Sequence, residues 1–145
     1  MLLAGFDAGQ TSTRCRIGRW QDGRWEPVGD GYGPGVCHLA SAGGVERFQD
    51  AIRVSSTEAM NVHPDLTLDG AVMGASGIEQ GSIIQEQATD LLARTLALPT
   101  AQVLATGDER TALRGAFPNH AGIVVISGTG MICLGRTSQG EEHRC

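Results

Sequence analysis

The sequence predicts an α/β fold built on a mixed sheet. Three observations carry the prediction. Two strand–polar turn–strand units stand near the two ends of the chain, at residues 2–20 and 122–135. Between them, strand-length apolar runs alternate with helical periodicities, the pattern of a sheet with parallel crossovers. The 145 residues are 41% hydrophobic and 19% charged, enough for one packed domain and the edge of a second.

Residues 2–6 are an apolar run, and Asp7-Ala8-Gly9-Gln10-Thr11-Ser12-Thr13 follows as a polar turn. Residues 14–20 read as a returning strand, with Cys15 and Ile17 on one face and Arg14 and Arg16 on the other. Gln21-Asp22-Gly23 is a turn signal, and residues 24–29 read as a third antiparallel strand with Trp25 and Val28 as apolar members. Residues 30–38, rich in glycine and carrying Pro34, read as an irregular loop. A helix is predicted over 44–62, with Val45, Phe48, Ile52 and Met60 near one face, ended by His63-Pro64.

A strand is predicted over 66–73, with Leu68, Ala71, Val72 and Met73 as its apolar part, closing in Gly74-Ala75-Ser76-Gly77. Ser82 reads as the N-cap of the next helix, with Gln85 as its capping-box partner. That helix runs to about Leu98 on an apolar face of Ile84, Ala88, Leu91, Leu92 and Thr95, and Pro99 stops it. Residues 101–106 read as a strand, and Gly107-Asp108 caps a short helix to about Ala116. Ile123-Val124-Val125-Ile126 reads as a buried strand, broken at Ser127-Gly128-Thr129-Gly130 and resumed over 131–134. Ser138-Gln139-Gly140 is a further turn signal.

Charge and composition exclude some functions. A net charge of −5 leaves no broad electrostatic footprint for nucleic acid or an anionic membrane. Neither a signal peptide nor a transmembrane run is evident. Cys15, Cys37, Cys133 and Cys145 have no Cys-x-x-Cys spacing, so a cytoplasmic protein with free thiols is expected. His38, His63, His120 and His143 have no metal-ligand spacing.

The two polar turns are the chemical signal. A glycine-containing turn can aim backbone N–H groups inward and form an anion cradle. Two of them facing each other would hold a polyphosphate from both sides. Asp7 would add a carboxylate for hydrated Mg²⁺, which takes carboxylate and phosphate oxygens. Each residue also has a plainer reading. Ser127–Gly130 can be an ordinary β-turn, and Asp7 a turn residue bonded to local backbone. Thr11 and Thr13 can be strand residues, Asp108 a helix cap, and Gly74–Gly77 a strand-to-helix loop.

Asp7-x-Gly9-x-Thr11-x-Thr13 resembles the first phosphate motif of the actin/Hsp70/sugar-kinase superfamily, and Val125–Gly130 resembles the second. The nearest branch is the BadF/BadG/BcrA/BcrD-type ATPases, which include N-acetylglucosamine kinase. The resemblance implies a ribonuclease H-like (actin-like ATPase) lobe over 1–118 and the first hairpin of a truncated second lobe over 119–145. It implies ATP and Mg²⁺ as cofactors and a small-molecule sugar as partner. Asp7, Gly9, Gln10, Thr11, Thr13, Ser127, Gly128, Thr129 and Gly130 would hold phosphate, with Asp7 on Mg²⁺ through water. Asp108, followed by Ala112-Leu113 at the family's spacing, would be the catalytic base, because phosphoryl transfer needs a carboxylate to take the hydroxyl proton. Cys37, His38, Ser76, Gly77 and Asp108 would face the sugar. Three positions depart from the family. Cys37 stands where Asn is usual, and a thiol replaces an amide poorly. Gln10 stands where Gly or Lys is common, and Met131 where Ser is common. The rivals are an ATPase of the dehydratase-activator/benzoyl-CoA reductase type and a non-catalytic sugar or nucleotide sensor. The second hairpin is expected to fold back on the first lobe, to pair with another chain through its open edge as a homodimer, or to be disordered. The 145-residue chain alone is expected to lack kinase activity, because transfer needs two closing lobes.

Overall fold

The computed structural model describes residues 1–127 and 130–144. Its main sheet has five strands: β1 (Leu2–Ala8), β2 (Ser12–Gln21), β3 (Arg24–Pro34), β4 (Gly70–Ala75) and β5 (Val103–Gly107). Their order is β3-β2-β1-β4-β5, antiparallel from β3 to β1 and parallel from β1 to β5. Three helices connect and cover them: α1 (Gly44–Met60), α2 (Ile83–Leu96) and α3 (Asp108–Ala116). A second sheet, ordered β6-β7-β8, holds β6 (Gly122–Ser127), β7 (Met131–Arg136) and β8 (Glu142–Arg144). The mixed α/β architecture is therefore as expected.

The alternation along β1 and β2 sorts the main sheet into two faces. Leu2, Ala4, Phe6, Ala8, Cys15 and Ile17 are buried on the face that α1 covers. Gly5, Asp7, Arg14 and Arg16 are exposed on the other, where α3 packs against β4. Phe48, Ile52, Met73, Ala88 and Leu92 complete one continuous core. Burial pushes the Cys15 thiol up to about 12, with the Asp30 carboxylate adding to the effect, so it serves as a small apolar residue.

Residues 30–34 are the first departure from expectation. They are not loop but the second half of β3. Gly29, Gly31 and Gly33 alternate onto one face, and α1 lies directly on them. A Cβ at Gly31 would stand 2.1 Å from the Ser55 carbonyl oxygen, and one at Gly29 2.0 Å from that of Ala59. The helix presents the matching stripe of Ala51, Ser55 and Ala59, all buried and four residues apart. The glycines that read as punctuation are the contact surface for a helix, and overpacking there costs about 1–3 kcal/mol per added side chain.

Other elements shift. β4 begins at Gly70, so Leu68 lies before it, and Val72 points to the exposed face. α1 ends at Met60 and buries Ala51 and Ala59, while Val45 is exposed. α2 ends at Leu96, where Ala97 takes a left-handed cap with φ 53°. A 3-10 turn at Thr100–Gln102 precedes β5. Ser82 does cap α2, its Oγ accepting from Gln85 N at 3.2 Å. Gln85 Oε1 reaches back to Gly81 N at 2.8 Å rather than to the cap residue itself.

The second sheet corrects the reading of residues 123–126 as a buried strand. β6 alternates, with Ile123 67% and Val125 58% exposed. β8 was not foreseen. α3 packs against β6 and β7, where Leu113 and Leu134 are fully buried. Arg136 donates to the Phe117 and His120 carbonyls, and Arg110 of α3 pairs with Glu142 of β8. The hairpin is thus folded back on α3.

Candidate functional site

Register builds the site. Ala8 lies opposite Ala75, and Ala75 opposite Gly107, across the three parallel strands. The chain therefore leaves β1, β4 and β5 in line, about 5 Å apart. Gly9, Ser76 and Asp108 emerge side by side at the carboxyl edge, where open α/β sheets bind ligands. A cleft of about 520 Å³ opens there, lined by Gly9, Gln10, Thr11, Ser76, Gly77, Asp108 and Glu109, and closed from the second sheet by Ile126, Gly130, Met131 and Arg144.

The first turn is held from behind. Val36 N donates to Gly9 O at 2.9 Å, and Gly9 N to Ser12 O at 3.0 Å. Gly35 lies flat on the turn, where a Cβ would stand 2.1 Å from Gln10 O. Among the described residues, the N–H groups of Gln10 and Thr11 donate to no backbone carbonyl. A braced turn with free amides in a cleft fits an anionic ligand.

Asp7 lies one residue pair deeper, opposite Arg14. It lines an adjoining cleft of about 570 Å³ with Arg14, Arg16, Val72, Asp108 and Thr111. Asp108 and Ile126 border both clefts. Arg16 Nε and Arg14 Nη2 donate to Asp30 at 2.8 and 3.3 Å. The bond from Arg16 leads in holding the Asp30 carboxyl below its ordinary range. Among the described residues, no three His, Cys, Asp or Glu side chains form a metal cluster. Asp7, an exposed carboxylate in a cleft it shares with Asp108, fits a hydrated cation shared with phosphate rather than a protein-caged one.

The predicted residues divide. Asp7, Gly9, Gln10, Thr11, Ser76, Gly77, Asp108 and Gly130 line the two clefts. Cys37 and His38 line a separate small depression, which shares Ser76, Gly77 and Ile78 with the larger cleft. Ser127 is exposed at the end of β6. Gly128 and Thr129 lie outside the described residues. Thr13 is fully buried on the core face of β2, its hydroxyl has no partner among the described residues, and it does not line either cleft. Phosphate contact by Thr13 therefore has no support in its placement. Its position two residues after Thr11 misleads, because β2 has already begun at Ser12 and alternation turns Thr13 inward.

Asp108 is not a side-chain cap. Gly107 is the N-cap of α3 without a side-chain bond, and Asp108 Oδ1 accepts from Glu109 N at 2.9 Å. Sequence reasoning passed over Glu109, which is only 4% exposed and lines the cleft. Burial pushes its carboxyl above the ordinary range. Its adjacency to Asp108 was the signal. Arg144, also missed, brings a positive charge to the same cleft.

No family model matches the chain. It is 37% identical over 71 residues to an N-acetylmuramic acid/N-acetylglucosamine kinase of Clostridium acetobutylicum, covering 49% of this chain and 21% of that protein. Among solved structures, a candidate N-acetylglucosamine kinase from Chromobacterium violaceum has TM-score 0.69 at 23% identity, covering 99% of this chain and 47% of the other. One from Porphyromonas gingivalis has TM-score 0.70 at 17% identity, with 99% and 46% covered. A ROK hexokinase from Thermus thermophilus has TM-score 0.59 at 16% identity, with 95% and 47% covered. The chain thus spans about half the length of these structures, and its match to the curated kinase spans about a fifth of that protein. Among the described residues, no helix is long and apolar enough to cross a membrane. In 71 residues of sequence and in nearly all of its fold, the chain is similar to sugar kinases of the N-acetylglucosamine kinase type, with their actin-like ATPase α/β architecture.

Proposed function

We propose that this chain supplies the first lobe and the opening hairpin of an ATP-dependent kinase acting on an amino sugar or related carbohydrate. The observation that carries the reading is the convergence of the braced Gly9–Thr11 turn, Ser76, Gly77, Asp108 and Gly130 on one cleft. Residues 1–118 are the lobe on this reading, and 119–145 begin its counterpart. Gln10 and Thr11 N–H groups, with Gly130 across the cleft, would hold phosphate oxygens, and Asp7 would hold Mg²⁺ through water; Ser127, Gly128 and Thr129 would join them on this reading. ATP with Mg²⁺ supplies the phosphoryl group and the charge that neutralises it. Asp108 would accept the proton of the sugar hydroxyl. Ser76 and Gly77 border the cleft and would face the sugar, and Cys37 and His38 would reach it only from the adjoining depression that shares Ser76 and Gly77.

The reading is tested by ADP release from a protein carrying this chain together with a second lobe, against a panel of amino sugars and plain hexoses. Turnover that requires an amino sugar is expected, and Met1–Cys145 alone is expected to show none. Nucleotide hydrolysis indifferent to every sugar would overturn it.

A further inference from the structure

A further cavity, of about 850 Å³, opens between β4, β5, α3 and the second sheet, and none of Asp7, Gly9, Ser76 or Asp108 lines it. Its floor is Val72 and Leu104, cross-strand neighbours that stand 44% and 45% exposed. Thr106 lies two residues beyond Leu104, on the same face of β5, and is only 5% exposed. The reason is Gly74, the cross-strand neighbour of Thr106. A Cβ at Gly74 would stand 2.1 Å from Thr111 Oγ1, so α3 rests directly on β4 there and leaves Val72 and Leu104 uncovered. The lining thus passes from half-exposed apolar surface to a buried polar end.

Among the described residues, Thr106 Oγ1 and Arg110 Nε are buried without a hydrogen-bond partner, and both residues line this cavity. A buried donor left unpaired is costly, so such groups mark places where a partner is missing. The charges point the same way. Arg110 pairs with Glu142, and Arg114 Nη2 lies 3.5 Å from the same carboxylate. No other charged residue lines the cavity, so two guanidiniums meet one carboxylate and one positive charge is unmatched. We propose that this cavity is a binding site for a small carboxylate with an apolar body. The ligand's two oxygens accept from the Thr106 hydroxyl and Arg110 Nε–H, its charge balances the surplus guanidinium, and its hydrocarbon covers Val72 and Leu104. Two free donors and one surplus charge suit a monoanion better than a phosphate dianion. The site does not depend on the kinase reading, since it shares no lining residue with the Gly9–Gly130 cleft.

The test is an amide NMR titration of Met1–Cys145 with hexanoate, and with hexanol and hexylamine as uncharged and cationic probes of the same length. Hexanoate should shift the amides of Val72, Leu104, Thr106 and Arg110 and bind about tenfold more tightly than hexanol, while hexylamine should leave them unmoved. Thr106→Val removes the hydroxyl at nearly constant size. It should weaken hexanoate by about tenfold and leave hexanol unchanged. Leu104→Glu is an independent arm, because it sets a negative charge on a half-exposed floor without disturbing the core. It should abolish hexanoate binding with the rest of the amide spectrum unchanged. Hexanoate that shifts none of these amides, binds no better than hexanol, or binds Leu104→Glu as well as the wild type would overturn the proposal, whether or not the protein is a kinase.

Discussion

The two polar hairpins have similar sequence patterns and different environments. β1–β2 lies inside the main sheet, flanked by β4 and β3, with Cys15 and Ile17 fully buried beneath α1. β6–β7 belongs to a three-stranded sheet whose β6 edge is unpaired, and Ile123, Val125 and Met131 stand exposed. Its fully buried Leu134 lies outside the main core cluster. The first hairpin's β-structure is over-determined by neighbours on every side. The second depends on α3, Arg136 and the pairing of Arg110 with Glu142. The same strand–turn–strand device is a core element in one place and a docked flap in the other.

Asp108, where the two regions meet, should give the largest effect. Asp108→Asn removes the proton acceptor at constant size. Turnover of a protein carrying this chain with a second lobe should fall by about 10²–10⁴-fold, with sugar and nucleotide affinities retained by calorimetry. Near-normal turnover would remove Asp108 from the chemistry.

The hairpins themselves separate next. Ile17→Lys places an unpaired charge in the core and should cost about 3–5 kcal/mol or prevent folding. Ile123→Lys on the exposed face of β6 should fall within about 0.5 kcal/mol. Urea denaturation of both variants measures the contrast, and equal costs would erase it. Leu134→Ala sharpens the same point. It should cost about 2–5 kcal/mol, and hydrogen exchange should locate the loss in β6–β8 while β1–β5 keep their protection.

Thr13→Val replaces a buried, unpartnered hydroxyl with a methyl. It should stabilise the fold by about 1 kcal/mol and leave nucleotide affinity unchanged, whereas weakened ATP binding would restore Thr13 to the phosphate site. The smallest effect concerns pH. A glutamate whose folded pKa is raised destabilises the fold only when charged. That penalty is absent below the ordinary carboxylate range and complete above the raised value. Stability of the wild type should therefore decline as pH rises through that window, while Glu109→Gln should flatten the decline in thermal melts at stepped pH.

Much of the fold was legible because it rests on local signals. Asp22-Gly23, with φ 53° and 75°, forms the two-residue turn between β2 and β3 that the dipeptide announces. Ser82 and Gln85 marked the start of α2, and alternation at Arg14–Ile17 marked the faces of β2. Gly31 and Gly33 of β3 were misread as loop because a glycine row has no propensity of its own. Only the small stripe Ala51, Ser55 and Ala59, lying across it, makes the row a strand face. Val45 and residues 123–126 were misread for a related reason. Apolarity shows that a residue can be buried, not that a neighbour exists to bury it.

The candidate site divides along the same line. The sequence by itself determined the chemistry on offer: an aspartate before a glycine turn, a second glycine turn, a Ser-Gly turn and an aspartate after a strand. It also determined the alternation of strands and helices, since periodicity is set residue by residue. Only the tertiary structure decided which groups meet. The parallel register of Ala8, Ala75 and Gly107 brings Gly9, Ser76 and Asp108 together, while the tertiary packing covers the face of β2 that holds Thr13 and sets Cys37 and His38 in their own depression. It also buries Glu109 beside Asp108. Hydrogen-bonded register and desolvation act between residues far apart in the chain, and neither is written in any local stretch of it.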